Sequence, residues 1–175
     1  MAEFLLEALS EEIPARMQKR AAEEFSQIFT SELEKVGLAH EPANYFVTPR
    51  RIAVSIDGLP LQQSTVVEER RGPRVDAPAA ALDGFMRSNN ISRDQIEERE
   101  TKKGRFYFVE IETKGKLTKE VLPAIIETSL KKFAWPKSMR WGSNSFRWVR
   151  PLHSILAVLE GEVVHGELDL GHDKL

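Results

Sequence analysis

The sequence predicts an α+β fold, with mixed, mostly antiparallel sheets and helices packed against them. Three observations carry this. Ile52, Val54 and Ile56 alternate with Ala53, Ser55 and Asp57, the period of a half-buried strand. Met17, Ala21, Phe25, Ile28, Phe29, Leu33 and Val36 recur at three- and four-residue spacing, the period of an amphipathic helix. Strands and helices then succeed one another in no regular βαβ order, which favours antiparallel pairing.

Taken in order, Phe4 to Leu9 reads as a short strand, and Ser10-Glu11-Glu12-Ile13-Pro14 supplies the acids and first-turn proline of a helix start. The helix through Val36 has Lys19, Arg20, Glu23, Glu24, Glu32 and Lys35 on its wet side and ends at Gly37. A strand around Ile52 to Ile56 is entered through the Thr48-Pro49 corner. Leu61 to Arg71 continues as a partly exposed strand that Gly72-Pro73 closes.

Ala79 to Ser88 and Ser92 to Glu98 read as two short helices, the second opened by the capping-box pattern Ser92-x-x-Gln95. Arg99 to Thr101, Lys102-Lys103-Gly104 and Arg105 to Thr113 read as strand, turn and strand. Thr118 to Phe133 is helical if Pro123 lies in the first turn. Ser154 to Glu160, a turn at Gly161 and Val163 to Leu168 form a last hairpin. Asp76-Ala77-Pro78 suggests a linker, so the expected division is a β-α-β-β module over 1–75 and a second α+β module over 76–175, with a single domain as the alternative.

Composition narrows the chemistry. With 175 residues, 41% hydrophobic and 30% charged, the chain can bury a core and has no run approaching the ~20 apolar residues of a bilayer span. Its start is acidic, unlike a signal peptide, so a cytoplasmic location and no membrane contact are expected. Zero cysteines remove disulfides, thiolate metal sites and a cysteine nucleophile. His40, His153, His165 and His172 show no metal-ligand spacing and no clustered acid partner, and no metal site is expected. Phosphate-cradling and nucleophile-elbow glycine motifs are absent. Adjacent Glu11 and Glu12 would point about 100° apart on a helix, so they read as acids near its positive end rather than as a catalytic pair. No catalytic residue is assigned.

Net charge is -2, but its distribution is uneven. Lys131, Lys132, Lys137, Arg140, Arg147 and Arg150 fall in a window without an acid, leaving 19 of the 25 bases against all 27 acids elsewhere. All three tryptophans, Trp135, Trp141 and Trp148, lie in that window with Phe133 and Phe146. Cations for phosphates and rings for unstacked bases are the ingredients of RNA binding. The same pattern also describes a core with arginines at its rim: the charges divide evenly between the two readings, and the rings weigh toward core. Arg50-Arg51 and Arg70-Arg71 are further basic pairs beside rigid corners.

Five blocks in order, Leu6 to Arg16, Thr48 to Ala53, Arg71-Gly72-Pro73, Pro136 to Gly142 and Phe146 to His153, resemble the N-terminal region of the β subunit of bacterial two-subunit glycyl-tRNA synthetases. Ala8-Leu9-Ser10 departs from the Ile-Gly-Thr more usual there. The resemblance implies an N-terminal fragment of a larger multidomain subunit of an α2β2 enzyme. The catalytic α subunit would use ATP with Mg, and the fragment would bind no cofactor and be inactive alone. Its implied partners are that α subunit, the remainder of the β subunit and tRNA-Gly. Candidate tRNA- or subunit-contacting residues are Arg50, Arg51, Lys137, Arg140, Arg147 and Arg150. A scaffold without RNA contact and a stand-alone tRNA-editing hydrolase are the competing readings.

Overall fold

A computed structural model describes residues 2–102 and 104–175, so Lys103 of the expected turn lies outside the described residues. The chain forms two compact units, one of residues 1–64 with 116–175 and one of residues 65–115. The expected division at 75/76 ran along the sequence; contacts divide the chain differently because the strand after Ser64 pairs with a later strand, not with the first sheet.

The larger unit is built on a five-stranded antiparallel sheet in the order β2-β3-β1-β7-β8. Strand β1 (Ala2–Ser10) lies in the middle because both of its edges are paired, with Leu6 opposite Val54 and Ala157. Its alternation turns Phe4, Leu6 and Ala8 to the side that β3 (Arg51–Leu59) lines with Ile52, Val54 and Ile56. Helix α1 (Ala15–Lys35) buries Ala21, Ala22, Phe25, Phe29 and Leu33 in the same core, with Phe29 stacked on Phe4 at 5.4 Å. The helix stops where Gly37 takes φ 75, letting the Gly37 and Leu38 N–H groups donate back to Glu34 and Leu33. Strand β2 (Asn44–Val47) turns into β3 through Thr48, whose Oγ1 accepts from the Arg51 N–H at 3.1 Å.

Helix α3 (Thr118–Lys132) adds Leu122, Ile125, Ile126 and Leu130 to the core. Pro123 lies inside this helix, past its first turn, contrary to the expected placement. The apolar stripe on both sides of Pro123 outweighs the single backbone donor that proline lacks. Strand β7 (Leu152–Leu159) returns beside β1, and β8 (Glu162–Val163) comes after a turn in which Glu160 and Gly161 both have positive φ, 50° and 76°. The return strand expected through Leu168 is only two residues long; Val164 still donates to Ala157 O of β7, and after it the backbone pairs elsewhere, Leu168 with Leu175 and Phe146 with Leu170.

The opposite face of this sheet has a different character. Phe46, Ala53, Glu7 and Leu156 occupy one row across four strands, and Phe46 is 58% exposed.

The smaller unit is a three-stranded antiparallel sheet in the order β4-β6-β5, with helix α2 (Ala79–Asn89) against β4. Strand β4 (Val66–Arg74) starts later than expected and runs through Gly72-Pro73, where the register shifts between Arg71 and Arg74. Such an irregularity accommodates a proline that cannot donate to the ladder. The second expected helix is one 3-10 turn, Arg93–Gln95, in which the Gln95 side-chain oxygen accepts from the Ser92 N–H at 2.9 Å. Ile96 then enters β5 (Ile96–Thr101), paired with Val109 of β6 (Gly104–Thr113), so pairing with β6 prevails over the local helix signal. Arginines cover the rings of β6: Arg71 over Phe106, Arg93 over Tyr107 and Arg99 over Phe108.

Among the described residues, no helix is long and apolar enough to cross a membrane.

Candidate functional site

The basic, aromatic-rich segment separates its two residue types by depth. Phe133, Trp135, Phe146 and Trp148 are buried, and Trp148 is 1% exposed. Trp148 is the hub, with Phe133, Trp135 and Phe146 centroids at 5.5, 5.1 and 6.0 Å and Phe25 of α1 edge-on at 6.4 Å. These rings form core, and little of their faces is left for stacking by an RNA base. Trp141 is half-buried and packs edge-on to Phe146.

The cations point outward. Lys137, Arg140, Arg147 and Arg150 are exposed, and among the described residues none of them has a carboxylate partner. Lys131 and Lys132 of the same window do, with Glu127 at 2.7 Å and Glu32 at 2.9 Å. An antiparallel bridge between Met139 and Trp148 places Arg140 and Arg147 at adjacent positions on its two arms. Arg147 is held in place, donating from Nε to Ser138 Oγ and from Nη2 to Ser138 O, both at 3.1 Å. Arg150 donates from Nη1 to Val149 O at 2.8 Å. Cations with no carboxylate to neutralise them retain their full attraction for an external anion.

Arg50 and Arg51 occupy the end of the sheet where β1 finishes and β3 and β7 begin. Arg51 Nε meets Glu7 at 3.1 Å, and Arg50 Nη2 lies 3.6 Å from Glu11. Glu11 also bonds His153 Nε2 at 2.7 Å, and its N–H donates to Pro151 O, so Arg50 and His153 share one carboxylate. The hydrogen bond to His153, and after it the charge of Arg50, holds the Glu11 carboxyl below the usual carboxylate range. Glu11 and Glu12 lie just before α1, and one expectation changes here: His153 does have an acid partner. Sequence separation conceals such a partner, since Glu11 reaches His153 only after β1 pairs with β7. The neighbouring Ser10 hydroxyl is buried and donates to Glu11 O at 2.9 Å, which closes it to substrate. Among the described residues, no group of three or more His, Asp or Glu side chains is placed to hold a metal ion.

A cavity of about 380 Å³ lies between α1 and the segment 133–137. Arg16, Met17 and Arg20 line it from the helix, and Trp135, Pro136 and Lys137 from the segment. Sequence reasoning missed Arg16 and counted Arg20 as wet surface; the signal present was their spacing of four, which sets both on one helix face. Arg20 is paired with Glu24 at 2.6 Å, whereas Arg16 has no carboxylate partner among the described residues. The Trp135 indole N–H is buried and, among the described residues, has no hydrogen-bond acceptor.

The sequence that builds this geometry has close counterparts among known proteins. A family model described as glycyl-tRNA synthetase beta subunit matches residues 4–172. The glycine–tRNA ligase beta subunit of Rhodospirillum centenum is 51% identical over 172 residues, which is 98% of this chain and 24% of that protein. The proteins of the same description from Paracoccus denitrificans and a Ruegeria species are each 49% identical, covering 93% and 97% of this chain and 24% and 25% of their own lengths. The chain thus spans about a quarter of the length of the curated relatives it matches.

Proposed function

The chain belongs to the glycyl-tRNA synthetase beta subunit family, and on that premise we propose that it is a noncatalytic part of such a subunit that engages tRNA-Gly. In this reading an α subunit performs the ATP- and Mg-dependent attachment of glycine in a cytoplasmic α2β2 enzyme. The present chain binds neither cofactor and is inactive alone. The observation that carries the reading is the set Lys137, Arg140, Arg147 and Arg150, four exposed cations without carboxylate partners among the described residues, on a segment anchored by buried rings. A rigid base beneath unpaired charges suits contacts to the phosphate backbone, where position matters more than base identity. Arg50 and Arg51, already paired with Glu11 and Glu7, are secondary contributors.

A second reading, docking of the α subunit or the remainder of the β subunit, is favoured by the exposed Phe46 and Leu156 on the opposite face of the sheet. It corresponds to the scaffold role. No arrangement of side chains favours an editing hydrolase among the described residues.

The decisive experiment measures binding of tRNA-Gly over a salt series with the Arg140→Glu, Arg147→Glu double variant. Each lost phosphate contact should lower the slope of log K against log salt by about 0.9. Unchanged tRNA affinity together with loss of α-subunit binding would replace tRNA engagement by the scaffold role.

A further inference from the structure

We propose that the cavity between α1 and segment 133–137 receives a single unpaired nucleotide of the RNA that the cationic segment tracks. The inference rests on the tRNA reading and adds a site to it. Its walls carry opposite kinds of chemistry. Arg16 and Arg20 on the helix and Lys137 across from them supply positive charge; Glu24, which also lines the cavity, offsets Arg20 at 2.6 Å, and among the described residues Arg16 and Lys137 have no carboxylate partner. Between them Met17 and Pro136, backed by the buried Trp135, form an apolar floor.

A bare phosphate would leave that floor wet, and an apolar ligand would leave Arg16 and Lys137 unanswered. A nucleotide satisfies both, its phosphate toward the cations and its base on the apolar surface. The base must be unpaired, because a base held in a duplex exposes no face to a protein cavity. A volume of about 380 Å³ suits one such unit. Lys137 belongs to both the cavity and the row of cations that continues through Arg140 and Arg147, so a strand tracking that row arrives at the cavity mouth.

The test compares an RNA hairpin with a blunt end and the same hairpin with a short single-stranded 3′ tail, by fluorescence anisotropy on the intact chain. The tail should tighten binding roughly tenfold, the effect of seating one base on an apolar surface. Arg16→Glu, at an exposed position, should erase that preference and leave blunt-hairpin binding little changed. Arg140→Glu should weaken both RNAs alike. If the wild-type chain shows no tail preference, or Arg16→Glu retains it, while Arg140→Glu still weakens both, the cavity proposal falls and the tRNA reading stands. If neither variant alters RNA binding, both fall. A short acidic peptide that binds with dependence on Arg16, without competing with the tail, would assign the cavity to a protein partner and overturn the proposal.

Discussion

Glu11 and His153, 142 positions apart in sequence, meet at 2.7 Å and join the end of β1 to the start of β7. Because His153 and Arg50 depress the Glu11 carboxyl in the folded state, the ionised form favours folding. Glu11→Gln should therefore lower stability at neutral pH. The difference from wild type should be fully present above the ordinary value of 4.5 and shrink as pH falls through the depressed one. Denaturant titrations at a series of pH values check this; a difference that persists undiminished into strong acid would remove Glu11 ionisation as its source.

Trp148→Ala should cost about 3–5 kcal/mol, since it empties the centre of the ring cluster that supports the cationic segment. Trp148→Phe should cost less. If tRNA affinity measured on the still-folded Phe variant falls while every cation is intact, the rings act by holding the cations in place.

Arg147→Lys should weaken tRNA binding roughly fivefold, the equivalent of one lost hydrogen bond. An ammonium cannot reproduce the planar fork that spans Ser138 Oγ and Ser138 O. Arg140→Lys should be nearly neutral, because Arg140 has no such fixed bonds among the described residues. Equal losses in the two variants would show that charge alone matters.

Gly161→Ala should destabilise the β7–β8 turn by about 1 kcal/mol, because φ is 76° and space is not limiting there. Thermal unfolding reads the effect. A neutral result would mean that the turn relaxes to another geometry.

Gly72→Ala tests close packing rather than backbone freedom. An added Cβ would lie 2.8 Å from the Phe85 ring, so α2 must shift or the ring must turn. A cost of about 1–3 kcal/mol is expected. Hydrogen exchange should quicken in β4 and β6 and remain unchanged in β1 and β7.

Much of the fold can be read in the residues. The helix from Met17 to Val36 and the alternation at Ile52 to Ile56 are local signals whose buried faces coincide with their periods. Ile96 to Glu98 misleads because the capping box is genuine yet spans one turn, and the distant strand β6 draws the next residues into a ladder. Pro123 misleads in the other direction, a helix breaker tolerated inside a helix that is packed on both sides of it. The cations of the candidate site are visible as a charge run. Their lack of carboxylate partners among the described residues, the burial of the rings, and the addition of Arg16 and Arg20 to Lys137 require three-dimensional neighbours.

The route of the backbone has a consequence of another kind. Residues 65–115 leave and rejoin the larger unit at a single point, where Gln62 bridges Leu117 and the Gln63 N–H donates to Lys116 O at 2.9 Å. The sheet is thus complete without a contribution from that stretch, and its two ends are stapled beside each other. Closing the gap with a short linker costs little loop entropy. The smaller unit therefore behaves as a cassette, a segment that deletion or exchange can replace in one step while the host module keeps its own register.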